Sequence, residues 1–490
     1  MKLQQQKTSI FKPGSFNPQM SSAYSQLKST LSGEVVRPDD EGYEYGIARW
    51  CDNCVQQASY VVFPKNAEDV SAAITFAKAE KVEIAVCGGG HSWSGSSSTT
   101  GLVIHLGKYL NTARCDPDTK LIYVGGGATW EPVDKAGAEH GLATVAGTVN
   151  HTGVGGLVLG GGWGWLTGRH GLALDNLTQI KIVLASGEIV TANENDHPDL
   201  FWGCRGGGSN FGVITEFVFK AHPQRATVFF SFIWFPVERL EEIVNTMEEW
   251  FETAGRDETC HWGYFRGGPG SENGEPVIRL MYFYNGPADE ARKAAKKIYD
   301  LGPAGELAFD EMPYLQLNSI QNLAMGHGGR KYCKGITVEP KLTYEALKAL
   351  ITAIDESVKD EPEFAASGAL FEFTPKQAVL SVPLDATAYA NRGTGRECLT
   401  FIFYQTPSLD TKARTAVRGY CKAVAQTAPV ADHEGKGDDA IGISYANYDP
   451  EPKGAALVFG PHYPRLRELK RQFDPDCVFN KWYPIEPATA

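Results

Sequence analysis

Cys87-Gly88-Gly89-Gly90-His91-Ser92 decides how this chain is read. The run 82–86 predicts a strand, and it passes straight into three glycines, a histidine and a serine. Glycines let successive backbone N–H groups close around an anion such as a phosphate. A histidine at the end of that cradle presents its imidazole to whatever the phosphates carry. Taken alone, residues of this kind read more readily as a tight turn with a solvated histidine.

They do not stand alone. Gly153-Val154-Gly155-Gly156-Leu157-Val158-Leu159-Gly160-Gly161-Gly162-Trp163-Gly164 follows, and then Gly206-Gly207-Gly208-Ser209-Asn210-Phe211-Gly212-Val213-Ile214. Apolar residues interrupt both clusters, so neither is a flexible linker. Neither ends in Gly-Lys-Ser/Thr, and neither sits in a βαβ unit with a following acidic residue. The P-loop and the Rossmann fingerprint both fail.

With Pro64-Lys65-Asn66-Ala67-Glu68-Asp69-Val70, His170-Gly171-Leu172-Ala173-Leu174-Asp175-Asn176, Asp199-Leu200-Phe201-Trp202, Tyr445-Ala446-Asn447-Tyr448 and Phe473-Asp474-Pro475-Asp476-Cys477-Val478-Phe479, these clusters resemble the FAD-linked oxidases of the vanillyl-alcohol-oxidase type, in the berberine-bridge-enzyme-like branch. The motifs lie in residues 55–225 and 440–486, and the middle of the chain resembles the family only weakly. The resemblance implies an α+β protein: a two-part PCMH-type FAD-binding domain plus an α+β substrate domain whose antiparallel sheet is backed by helices. The expected division is a leader, 1–54, packing on the FAD domain; the FAD domain, 55–222; the substrate domain, 223–439; and a segment, 440–490, returning to the FAD domain.

The same resemblance implies a site. FAD is the expected cofactor, joined through its 8α-methyl to His91. Gly88, Gly89, Gly90, Ser92, Thr152, Gly153, Gly155, Gly156, Leu157, Gly162, Gly212, Val213, Ile214, Tyr445 and Asn447 are expected around it. Many members of this branch carry a second link to a cysteine. Val149 stands at its place here, so one tether and a lower redox potential than in bicovalent members are expected. The set Val149, Thr152, Leu157 resembles that of a monocovalent, oxygenating member. Tyr448 is the implied general base. A phenol with a pKa near 10 is a poor base at neutral pH, so a nearby cation is expected to lower it; the sequence identifies none. A strand through this segment sends Tyr445 and Asn447 to one side and Tyr448 to the other. Glu372, a lone carboxylate in Leu370-Phe371-Glu372-Phe373, is costly to bury unless paired or functional, and joins Tyr448 as a catalytic candidate. Trp93 and Trp163 are candidates for stacking on a flat substrate, with core packing as the alternative.

Composition narrows the partners. The 490-residue chain has a formal charge of −12 and no Lys/Arg block, which argues against nucleic acid and anionic membranes. No apolar run is long enough for a membrane span. The first thirty residues are polar with no apolar h-region, so a cytoplasmic protein is expected. The sequons at Asn150 and Asn176 fall within the expected flavin loops and read as chance matches. Cys51-Asp52-Asn53-Cys54 lacks a second ligand pair and reads as free structural thiols. His105, His140, His261, His327 and His462 show no metal-ligand spacing and read as structural; no metal is expected.

Periodicity supplies the elements. Apolar spacing predicts helices over 69–80, 130–140, 238–254 and 289–301. Strands are expected at 102–106, 121–124, 228–234, 277–284, 369–373, 378–382 and 399–404, with a hairpin joining 180–184 to 188–190. The expected activity is that of an FAD-dependent oxidase. It takes hydride from a hydroxyl-bearing or carbon-acid small molecule, such as a secondary metabolite, and passes electrons to O2. Three alternatives stay open: an oxygenating or ring-forming enzyme, an oligosaccharide oxidase, and a redox-silent FAD protein that binds or folds a substrate. Oligomeric state is left open.

Overall fold

The structure is a computed structural model that describes residues 18–428, 445–449, 451 and 454–489. Residues 440–444, where the returning C-terminal segment is expected to begin, lie outside these, as does much of the expected leader. The fold is α+β, and the described residues form sheets of four, five and seven strands and a two-stranded ribbon of Leu142–Ala143 with His222–Pro223.

The first sheet carries the glycine cradle. Strands Ile84–Cys87 and Tyr60–Phe63 flank Leu102–His105 in parallel register, and Glu34–Val36 pairs antiparallel at one edge. Helix Ala67–Glu80 connects Tyr60–Phe63 to Ile84–Cys87. It begins at Asn66, whose side chain accepts from the Asp69 amide at 2.8 Å. Val70, Ala73, Ile74 and Ala77 bury its inner face, the helical spacing expected. The second sheet is antiparallel, in the order Ala113–Asp116, Leu121–Gly125, Gly212–Lys220, Leu177–Leu184, Ile189–Asn193. Its central strand opens at the third glycine cluster.

The third sheet has seven antiparallel strands. From edge to edge they are Gly305–Pro313, Thr227–Phe235, Pro276–Tyr284, Glu258–Arg266, Gly368–Phe373, Arg396–Tyr404 and Arg330–Val338. Alternation sorts its residues between two cores. Ala369, Phe371 and Phe373 join helices Leu240–Thr253, Tyr344–Asp360 and Asp410–Ala425 on one face. Leu370, Leu399 and Phe401 face the other way, into one continuous core with Trp130, Val154 and Phe217. Glu372 therefore points, with Leu370, away from the helices and toward the glycine loops.

Two sequence expectations fail. Residues 378–382 are not a strand: Gln377–Leu380 is a short helix, and Arg392 donates to the Val379 carbonyl at 3.2 Å. A brief apolar run cannot by itself separate a strand from a buried helical turn. The Tyr445–Tyr448 segment is no strand either, since Ala446–Tyr448 forms a 3-10 turn. The other expected elements differ in their bounds, and the expected helix over 289–301 divides into Ala288–Ala294 and Lys296–Asp300; the strands Glu258–Arg266, Gly305–Pro313 and Arg330–Val338 and the helices Tyr344–Asp360 and Asp410–Ala425 are not among the expectations.

Candidate active site

The first two glycine clusters meet so closely that no side chain fits between Gly89 and Gly153. A Cβ on Gly89 would lie 2.4 Å from the Gly153 amide nitrogen, and one on Gly153 would lie 2.5 Å from that of Gly89. Gly90 has φ +69°, a conformation that favours glycine. The third cluster closes against the C-terminal segment: Asn210 donates to the Trp482 carbonyl at 3.1 Å and accepts from the Ile485 amide at 3.1 Å. One cavity runs along this seam. Gly88, Gly89, Gly90, His91, Ser92, Trp93, Thr152, Gly153, Gly155, Gly156, Leu157, Trp163, Gly212, Val213, Ile214, Glu372, Tyr445, Asn447 and Tyr448 all line it. Gly162 is set one step back and donates its amide to Tyr445 Oη at 2.9 Å. A long cavity walled by side-chain-free amides at one end and by aromatic and acidic groups at the other suits a dinucleotide with a flat redox ring.

His91 is half-buried and stacks on Trp50, with centroids 5.0 Å apart and planes 17° apart. Its Nε2 lies 2.7 Å from Nδ1 of His151. Burial, followed by the neighbouring His151, His327 and Lys331, holds its pKa well below the usual 6.5. It is thus a neutral imidazole with a nucleophilic lone pair. His91, His151 and His327 bring ring nitrogens within 4.8 Å of one another. Sequence spacing did not anticipate this grouping, and the purely structural reading of His327 does not describe its position. His151 was legible, since it directly precedes Thr152 at the mouth of the second cluster. His327 and Trp50 come from distant loops and carried no local signal.

At the other end Tyr448 donates to Glu372 Oε1 at 2.8 Å. Trp93 lies against Tyr448, with centroids 5.9 Å apart, and Tyr445 meets it edge-on at 4.9 Å. Asn447 donates to Tyr445 Oη at 2.7 Å and to the Leu157 carbonyl at 3.1 Å. The 3-10 turn, rather than strand alternation, separates the roles of these residues. The cation expected beside Tyr448 is not its hydrogen-bond partner; a carboxylate is. Burial and then Glu372 raise the Tyr448 pKa well above 10. Glu372 itself, 6% exposed, is pushed up to about 7, chiefly by burial. Of this hydrogen-bonded pair, Glu372 is the group whose pKa is held near neutrality.

Two family models match the chain. A FAD-binding domain model covers residues 58–193, and a berberine and berberine-like model covers 444–486. The FAD-linked oxidoreductase pgmH of Aspergillus terreus is 33% identical over 483 residues, covering 94% of this chain and 96% of the relative. A FAD-linked oxidoreductase of Dictyostelium discoideum is 26% identical, covering 94% and 95%. Among solved structures, 6-hydroxy-D-nicotine oxidase from Arthrobacter nicotinovorans superposes with a TM-score of 0.80 at 23% identity, covering 94% of this chain and 98% of that one. Glucooligosaccharide oxidase from Acremonium strictum, described with a 6-S-cysteinyl, 8α-N1-histidyl FAD, gives 0.80 at 22% identity, covering 96% and 100%. The fold, the glycine seam and these matches lead to one conclusion: the chain belongs to the FAD-linked oxidoreductases of the berberine-bridge-like family.

Proposed function

We propose that the enzyme oxidises a hydroxyl-bearing or carbon-acid small molecule of flat, apolar character, with His91 as the single covalent tether of its FAD. The observation that carries the reaction is the Tyr448–Glu372 hydrogen bond at the wall of the cavity that Trp93 and Trp163 also line. When bound, FAD supplies the hydride acceptor and passes the electron pair to O2, giving H2O2. The chain supplies the rest. Trp93 and Trp163 offer faces for a planar substrate. Tyr448 takes the substrate proton while handing its own to Glu372, so no free phenolate is needed. Buried walls keep bulk water from the transfer.

Support for the tether is the position and neutral state of His91 and the histidyl link described for the glucooligosaccharide oxidase. Val149 lines the cavity and cannot form a thioether. In this reading residues 55–222 and 440–490 hold FAD, and 223–439 supply the substrate wall. No disulfide joins the ten cysteines, all of which are among the described residues, which suits a reducing compartment such as the cytoplasm. Among the described residues no helix is long and apolar enough to cross a membrane.

Denaturing purification followed by peptide mass mapping tests the tether: flavin mass should stay on the peptide carrying His91 and vanish from it in His91→Ala. Anaerobic mixing with phenolic and benzylic alcohol probes tests the chemistry. At least one probe should bleach the flavin, and Tyr448→Phe and Glu372→Gln should each slow bleaching by about 100-fold or more while retaining FAD. Undiminished bleaching in both variants would sink the assignment. A second reading, oxygenation, is favoured by Thr152 and Leu157 lining the cavity beside Val149. Incorporation of 18O from O2 into product would select it.

A further inference from the structure

Glu372 does not sit alone on its face of the large sheet. It is register-paired with Glu397 on the neighbouring strand, and Glu397 is paired in turn with Thr337. Directly opposed residues share a face, and two carboxylates so placed repel. Glu397 is 1% exposed. Its Oε2 accepts from Thr337 Oγ1 at 2.7 Å. Its Oε1 lies 3.6 Å from Lys376 Nζ, at ion-pair range but beyond a hydrogen bond. Lys376 follows Glu372 by four residues, just past the end of the strand. It is buried, with its ammonium 5.0 Å from the centroid of Trp163, a cavity wall. Glu372 Oε2 and Glu397 Oε1 are both buried without a hydrogen-bond partner.

A buried ion pair with an unsatisfied oxygen, directly behind a second unsatisfied carboxylate, is a poor device for stability alone. Its charge balance is more telling. With both carboxylates ionised, the three groups carry one net negative charge; one added proton makes them neutral. We infer that Glu397 and Lys376 are positioning residues that set how readily Glu372 takes up the Tyr448 proton, Lys376 favouring an ionised Glu372 before transfer and the charge of Glu397 favouring the proton on Glu372 afterwards. This rests on the reading of Tyr448 and Glu372 as the proton-accepting groups. The step balances: one proton leaves the substrate for Tyr448, one leaves Tyr448 for Glu372, and no electrons move within it.

The surrounding groups support this pairing. Tyr448 and Tyr445 face Glu372 from the C-terminal segment. His261, register-paired with Glu372 on its other side, is held neutral by burial, which lowers its pKa to about 3. Glu339 and Arg396 act on Lys376 with opposite signs. Lys376 is thus the cation, and Glu397 the anion, whose charges bear on Glu372.

The two partners pull in opposite directions, and that gives the test. The carboxylic C=O infrared band of the FAD-loaded protein is followed against pH, with Glu372→Gln identifying the Glu372 contribution. Removing the cation in Lys376→Met should move the Glu372 midpoint alkaline by about one pH unit or more; removing the anion in Glu397→Gln should move it acid by a similar amount. Lys376→Arg should return it toward wild type. A pair that merely packs moves neither midpoint, or both the same way, and either result overturns the inference. If Lys376→Met fails to accumulate, Glu397→Gln decides alone, since an unmoved midpoint there is sufficient refutation. A wild-type Glu372 band that never titrates near neutrality would instead remove the Tyr448–Glu372 reading on which this depends. A wild-type band that titrates but stays put in the variants rejects only the roles of Glu397 and Lys376.

Discussion

In the proposed mechanism Glu372 links the chemistry to pH. Its carboxyl, raised to about 7 by burial first, is protonated in the folded enzyme below that value and cannot relieve Tyr448 of its proton. Flavin reduction should therefore rise with pH through about 7, because the active form is the ionised one. Rapid-mixing measurement of flavin bleaching across that range checks this, and Glu372→Gln should remove the limb along with most of the rate. The sequence pointed to Glu372 through a simple cost, a carboxylate among aromatics. It could not supply the hydrogen-bond partner, which is 76 residues away. The expectation of a cation acting directly on Tyr448 followed from the ordinary phenol pKa. The structure replaces it with an acceptor, so the phenol can stay protonated until it passes its proton on.

Among the elements, the helix Ala67–Glu80 shows how much a motif can hold. Asp69, in its first turn, is buried and accepts three backbone amides: Ser32 at 2.8 Å, Gly33 at 2.9 Å and Lys65 at 2.9 Å. It anchors the incoming chain to the cradle sheet. Asp69→Ala strands those donors and should cost about 3 kcal/mol, read as a lower thermal midpoint, with Asp69→Asn intermediate because it keeps one acceptor oxygen. This helix was legible in its apolar spacing, whereas the longer helices Tyr344–Asp360 and Asp410–Ala425 were not expected. The short segments 378–382 and 445–448 are brief enough for tertiary contacts to choose their conformation. The strand Gly305–Pro313 was also missed, for another reason. It is an edge strand, largely exposed, and its Glu306, Asp310 and Glu311 break the apolar pattern by which strands are found.

Across the whole molecule, the site exists only because the C-terminal segment crosses back to the large sheet. Lys334, on the strand Arg330–Val338, pairs with Asp449 at 2.9 Å, with both side chains at most 5% exposed. Tyr483 donates to the Asp449 carbonyl at 2.9 Å and to that of Ala446 at 3.2 Å. These contacts hold the 3-10 turn that presents Tyr448 to Glu372. Lys334→Met deprives the buried Asp449 of that ammonium and should cost about 3–5 kcal/mol. It should also slow flavin bleaching while leaving FAD on the protein, because the cradle lies elsewhere. Equal bleaching rates in Lys334→Met and wild type would contradict this account of how Tyr448 is placed.

By itself the sequence carried the glycine cradle and, through the family its motifs resemble, the expectation of FAD, of His91 as its tether and of Val149 in place of a second link's cysteine. These are matters of residue type at close spacing, where chain connectivity supplies the geometry. Tertiary structure alone decided the proton chemistry. Glu372, Glu397, Lys376 and Tyr448 come from separate parts of the chain, and their charges acquire meaning only once burial removes water and sheet register sets them side by side.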